Sequence, residues 1–148
     1  CPGQTFHDNM VAHDREIDEM KNIEGWNPHV CWNLLRDPAQ RVAVLQGTWV
    51  RPEDLYHYDD LFPVVKLATR MHDHPRMVLH AYANRRYDGN LLDLLEPGFA
   101  PAFAPEIIAN DLFPPDWFER TSTCGRRCES CRYCGDALAR TLQRMGGE

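Results

Sequence analysis

A chain of 148 residues, 43% of them hydrophobic, can bury one ordinary core, and no apolar run in it is long enough to cross a bilayer. A net charge of −6 argues against a dedicated nucleic-acid binder, although Arg126, Arg127, Arg132, Arg140 and Arg144 gather near the C-terminus. Six cysteines, clustered and without a secretory h-region, indicate a reducing compartment, so a cytoplasmic protein with no membrane partner is expected.

Residues 1–31 place Cys1, His7, His13, His29 and Cys31 around an acidic, helix-like stretch from Val11 to Ile23, which Asn27-Pro28 breaks. Asp37-Pro38 predicts an N-cap followed by proline at the first helical position, opening a short helix to about Leu45. Thr48-Trp49-Val50 is a short β-like run. Pro52-Glu-Asp-Leu55 opens a helix, to about Leu61, with early negative charge. Val64 to Ala68 is expected as a buried strand, and a helix capped by Asp73 or His74 runs from Pro75 to about Arg86. Tyr87 to Asn90 is a turn, and Leu91 to Leu95 is a short apolar element. Strand, helix, strand, helix at this spacing predicts a parallel α/β unit, but two parallel strands need neighbours to bury both faces.

The composition changes after Leu95. Between Glu96 and Pro115, prolines alternate with Phe and Ala, as in an ordered crossing segment anchored by Phe99, Phe103, Ile107, Ile108, Leu112 and Phe113. One helical turn at Asp116–Glu119 leads to the cysteines, and a last helix is expected over Asp136 to Met145. The division is therefore 1–95, 96–123 as a connecting segment, and 124–148 as a cysteine-rich tail.

That tail carries the most specific local chemistry. Cys124, Cys128, Cys131 and Cys134 fall in eleven residues with the spacing C-x3-C-x2-C-x2-C. Cysteines this close are hard to bridge without strain, whereas metal sites favour short steps between ligands. An iron–sulfur cluster, a tetrahedral zinc site and free or redox-active thiols all remain open. Cys124, Cys128 and Cys131 match the loop of radical SAM enzymes, but that loop belongs near the start of a barrel and only fourteen residues follow Cys134. The zinc reading predicts a binding module whose arginine-rich final helix contacts a protein or RNA. A third reading is an auxiliary cluster domain serving a radical SAM centre elsewhere. Cys1 and Cys31 form a looser group, and Cys31 beside Trp32 can equally be a small buried side chain. Lys66 inside an apolar run and Arg70 just after it put positive charge where α/β proteins bind substrate, at the carboxyl ends of strands. Salt bridges to Glu53, Asp59 or Asp73 are the structural alternative for Arg70.

The stretch from Trp49 to Tyr87 resembles peptidase family U thirty-two, the collagenase-like proteins. The resemblance rests on Trp-Val-Arg-Pro-Glu-Asp-Leu, on Val-Val-Lys-Leu-Ala-Thr-Arg with Lys66 and Arg70 at the family's lysine and arginine, and on a helix ending Ala-Tyr-Ala-Asn-Arg-Arg-Tyr. Ala68-Thr69 replaces the family's Glu-Gly. The resemblance implies a TIM-barrel-like fold with a cysteine-ligated 4Fe-4S cluster, and relatives that act in oxygen-independent hydroxylation of RNA bases or of a quinone precursor. It also implies that Cys1 and Cys31 are the last two cluster ligands, with the C-terminal quartet an additional centre. Because a (β/α)8 barrel takes at least about 200 residues, the expectation is a partial (β/α) unit. The missing N-terminal part of the barrel, or a partner subunit, would complete it. An iron–sulfur enzyme follows, with Lys66 and Arg70 holding an anionic substrate or RNA.

Overall fold

The computed structural model describes residues 30–47, 49–69, 72–96 and 98–145. The expected acidic helix from Val11, together with Cys1, His7, His13, His29 and Arg70, lies outside the described residues.

Proline and short polar caps set most of the starts. Helix α1 (Val30–Arg36) is followed at once by a 3-10 helix over Pro38–Val44. There the Asp37 carboxylate accepts from the Ala39 N–H at 3.0 Å, with proline at the first turn, as its sequence predicts. Pro52–Tyr58 is likewise 3-10, carrying Glu53 and Asp54 in its first turn. Helix α2 (Pro75–Ala83) starts on proline and stops at Asn84. Arg85 then takes a left-handed φ of 52°, so that Arg85 N–H donates to Tyr82 O and Arg86 N–H to Ala81 O, at 3.2 and 3.0 Å. This is a Schellman closure built on arginine where glycine is usual. Arg85 is held there by a two-pronged pair with Asp59 at 2.6 and 2.8 Å.

The second half is tied together by hydrogen bonds between distant residues. After the 3-10 turn Leu91–Leu94 come α3 (Ala100–Phe103), β1 (Glu106–Ile108), the turn Asn110–Leu112, α4 (Trp117–Ser122), α5 (Tyr133–Thr141) and β2 (Leu142–Arg144). β1 and β2 pair antiparallel, with Glu106 opposite Arg144 and Ile108 opposite Leu142. An isolated bridge between Asn90 and Ala109 extends the contact. The last helix thus begins three residues earlier than its sequence suggests and gives way to a strand. Leu142–Arg144 gain ladder partners in β1 that continued helix would forfeit.

The main core gathers Leu35, Val44, Leu45, Leu91, Leu92, Phe103, Ile108, Phe113, Trp117 and Leu138. A smaller cluster of Val78, Ala81 and Leu94, with Leu67 and Tyr82 against it, sits under α2. Two polar knots lie within this packing. Arg41 is buried, pairs with Glu106, donates to Leu35 O at 3.2 Å and stacks on Phe103 at 4.9 Å. Asn110 is fully buried: its Oδ1 accepts from Arg51 Nε at 3.0 Å, and its Nδ2 donates to Glu53 at 2.9 Å and to Tyr87 O at 2.7 Å.

One local expectation fails. Trp49-Val50 and Val64–Ala68 form no strand, and Val64 is 80% exposed. The ladder among the described residues is antiparallel and lies elsewhere. A β-prone run becomes a strand only when another strand satisfies its backbone, and no described residue does so for Val64–Ala68. Leu67 alone turns inward, onto the smaller cluster.

Candidate metal centre and adjoining cleft

The four C-terminal cysteines occupy the loop between α4 and α5 and the first turn of α5. α4 is fixed by Trp117, whose ring packs edge-on against Phe113 at 5.0 Å and lies nearly parallel to Trp49 at 5.6 Å and Tyr133 at 5.9 Å. Tyr133 couples the two helices. Its hydroxyl donates to Asp116 Oδ1 at 2.8 Å, and the Arg120 guanidinium sits 5.0 Å over its ring. Burial and the Asp116 carboxylate hold the Tyr133 hydroxyl well above the usual phenol range. Cys134 follows directly on this anchor and is half-buried, whereas Cys124, Cys128 and Cys131 are exposed on the loop.

All four thiols are free. Burial pushes the Cys134 thiol up, and charge on Cys124, Cys128 and Cys131 pushes it further. Cys124, Cys128 and Cys134 also line one cleft. Cys124 Sγ also accepts the N–H of Arg126 at 3.3 Å, and Arg126 itself takes a left-handed φ of 56°. Among the described residues no three histidine, cysteine or acidic side chains are drawn together as a finished metal site. The donor chemistry nevertheless suits a soft metal: four sulfurs, mutually repelling as thiolates, lose that repulsion when a cation joins them. One thiol stands in the first turn of α5 and three stand on the exposed loop before it.

A cleft of about 210 Å³ opens beside the quartet. Cys124, Cys128, Cys134 and Arg126 form one side of it, and Trp117, Phe118, Thr121 and Ser122 of α4 another. Leu45, Gln46, Gly47, Trp49 and Val50 and the 3-10 residues Asp54 and Tyr58 complete the lining. Phe118 lies flat against His57 at 3.7 Å and edge-on to Tyr58 at 5.7 Å. Asp54 is half-buried, and burial raises its carboxyl above the ordinary value more than Arg51 and His57 lower it.

The other expected site residues are dispersed. Lys66 is exposed on the irregular run after the 3-10 helix, and its expected companion Arg70 is not described. Cys31 is half-buried in α1, and Cys1 is not described. His72 serves the fold. Its Nδ1 accepts the His74 N–H at 2.9 Å, so Nε2 carries the proton and donates to Asp93 O at 2.7 Å. Reasoning from the sequence passed over Asp54, the stacked Trp49, Trp117 and Tyr133, and Asn110. The aromatic spacing around the cysteines was the one signal that could have found the cleft wall.

No family model matches the chain, and no solved structure matches it. The chain is 26% identical, over 146 residues covering 97% of its length, to an uncharacterized protease of Methanocaldococcus jannaschii. It spans 42% of that relative's length. Among the described residues no helix is long and apolar enough to cross a membrane.

Proposed function

We propose that this chain is part of an iron–sulfur enzyme distantly related to peptidase family U thirty-two, with Cys124, Cys128, Cys131 and Cys134 binding a metal centre. The observation that carries the reading is the local C-x3-C-x2-C-x2-C spacing of four free thiols, three of which line one cleft. The similarity to a protein named as a protease, together with the Trp49–Tyr87 resemblance, supports the family part.

In this reading residues 1–95 belong to a partial (β/α) barrel unit, completed by the missing N-terminal part of the barrel or a partner subunit, with 96–123 a connecting segment and 124–148 the metal-binding tail. Cys1 and Cys31 contribute to one cluster, and Lys66 and Arg70 hold an anionic substrate group or RNA. Oxygen-independent hydroxylation is the reaction type the resemblance suggests. A bound cluster would supply electron transfer. The residues around the quartet position it: Tyr133, pinned by Asp116 and Arg120, fixes Cys134, and Arg126 donates its backbone N–H to Cys124. The second reading, zinc held by the same four thiolates in a binding module, is favoured by the exposure of the loop, since structural zinc commonly folds such loops.

Anaerobic purification with iron, acid-labile sulfide and zinc counted per chain tests both readings. Iron and sulfide in near-equal amounts, lost on Cys128→Ser together with Cys131→Ser, support the cluster. A colourless, iron-free chain with one zinc overturns the cluster and supports the second reading. A metal-free chain overturns both.

A further inference from the structure

We infer that Val64–Ala68 is a docking seam for an extended segment of a partner polypeptide, one that carries a carboxylate opposite Lys66 between β-branched or apolar neighbours. The inference stands apart from the metal centre and names a peptide carboxylate as the anion that Lys66 takes. Residues Val64–Ala68 are neither helix nor turn. Among the described residues, none of their backbone N–H or C=O groups makes a hydrogen bond. Pro63, which has no N–H, ends the run upstream.

Exposure along the run follows the period of a strand. Val65 is less exposed than Val64, at 47% against 80%, and Leu67 turns onto the smaller core cluster, whereas Lys66 and Ala68 face solvent. The run is thus anchored on the fold through Leu67, with its backbone donors and acceptors unused. Leu61 and Phe62, just upstream, are also exposed. A contiguous apolar stretch left open beside an unpaired backbone edge is a template for strand addition, in which main-chain bonds give affinity and alternate side chains give selectivity.

Lys66 decides the chemistry of the partner. It is exposed and makes no ion pair among the described residues. It shares the outward face with Val64 and Ala68, so the strand beside it completes that face with a carboxylate flanked by apolar or β-branched side chains. A second copy of the chain is a poor fit. Antiparallel pairing of the run about its centre sets Lys66 against Lys66, and like charges directly opposite are destabilising. A helical partner cannot serve either, because its backbone groups are already spent within the helix.

The test titrates the full chain into a fluorescein-labelled peptide, Gly-Thr-Val-Glu-Val-Thr-Gly with a blocked C-terminus, and follows anisotropy. Saturable binding is expected, about fivefold tighter than for the peptide with lysine in place of glutamate. Lys66→Glu should reverse that preference, and because Lys66 is exposed and unpaired this variant should unfold at the parent's temperature. N-methylated peptides discriminate strand addition from loose apolar contact. Methyl groups on one alternate set of amides should abolish binding, and on the other set leave it unchanged. No saturation by about 1 mM chain, equal affinity for the glutamate and lysine peptides, or equal binding by the two N-methylated peptides overturns the inference. So does a parent that sediments as a dimer and becomes a monomer in Val65→Pro, which assigns the run to a second copy. Metal content has no bearing on these outcomes, so failure here leaves the metal centre standing.

Discussion

Asn110→Ala tests whether the buried polar knot holds the 3-10 helix at Pro52 to the second half of the fold. The side chain makes one bond to Arg51, one shared between the two Glu53 oxygens, and one to Tyr87 O, all between 2.7 and 3.0 Å. Two of these partners are charged, and each such bond is worth about 1.5–3 kcal/mol, with about 1 kcal/mol for the neutral one. Glu53 is 28% exposed and can recover some hydration, so the expected loss is about 3–5 kcal/mol, read as a shifted urea midpoint. That is a large share of the roughly 5–15 kcal/mol a domain commands. Asn110→Asp sharpens the test. It keeps the acceptor for Arg51 but turns the donor toward Glu53 and Tyr87 O into a second carboxylate. Repulsion raises the folded-state carboxyl pKa, so this variant should be less stable than the parent at neutral pH and regain stability as the pH falls. A loss below about 1 kcal/mol for Asn110→Ala, or parent-like stability for Asn110→Asp, would refute the reasoning.

Tyr82 donates its hydroxyl to Val50 O at 2.6 Å, and burial followed by the Glu53 charge pushes it up to about 12 from 10.0. A folded pKa above the unfolded one gives stability that is fully present below about pH 10 and lost as the pH rises through about 12, worth about 2 kcal/mol. Tyr82→Phe should flatten that alkaline limb and cost about 1 kcal/mol at neutral pH; coincident limbs in an equilibrium pH series would contradict the linkage. At Arg85, left-handed backbone is offset by the Asp59 pair. In an Asp59→Ala background, Arg85→Gly should therefore raise the melting temperature, and a drop would show that the arginine stem itself is needed.

How far the sequence predicts this fold depends on the reach of each determinant. Asp37-Pro38, Pro52 and Pro75 act within one turn, so those helix starts were legible from their neighbours alone. So was the quartet, whose spacing is local. Leu142–Arg144 were not, because their strand state depends on Glu106–Ile108, far back in the chain. Val64–Ala68 illustrate the converse: strand-prone residues whose partners no described residue supplies. Asn110 carries no motif. Its role appears only when Arg51, Glu53 and Tyr87, twenty-three to fifty-nine residues away in sequence, converge on it. The cleft is of the same kind, since Asp54 and Trp49 meet Trp117 and Phe118 across the fold.

The pairing of β1 with β2 has a topological consequence. Everything from Ala109 to Thr141, the quartet included, is an excursion whose two ends are fastened at one place, where the Ala109 N–H meets Thr141 O at 2.8 Å. Loop-closure entropy grows only slowly with length, and here the larger loop is already closed. A metal bound as proposed would add a short second ring inside the first. The excursion is nonetheless no detachable appendage, because Asn110, Phe113, Trp117 and Leu138 within it are buried, the last three in the main core.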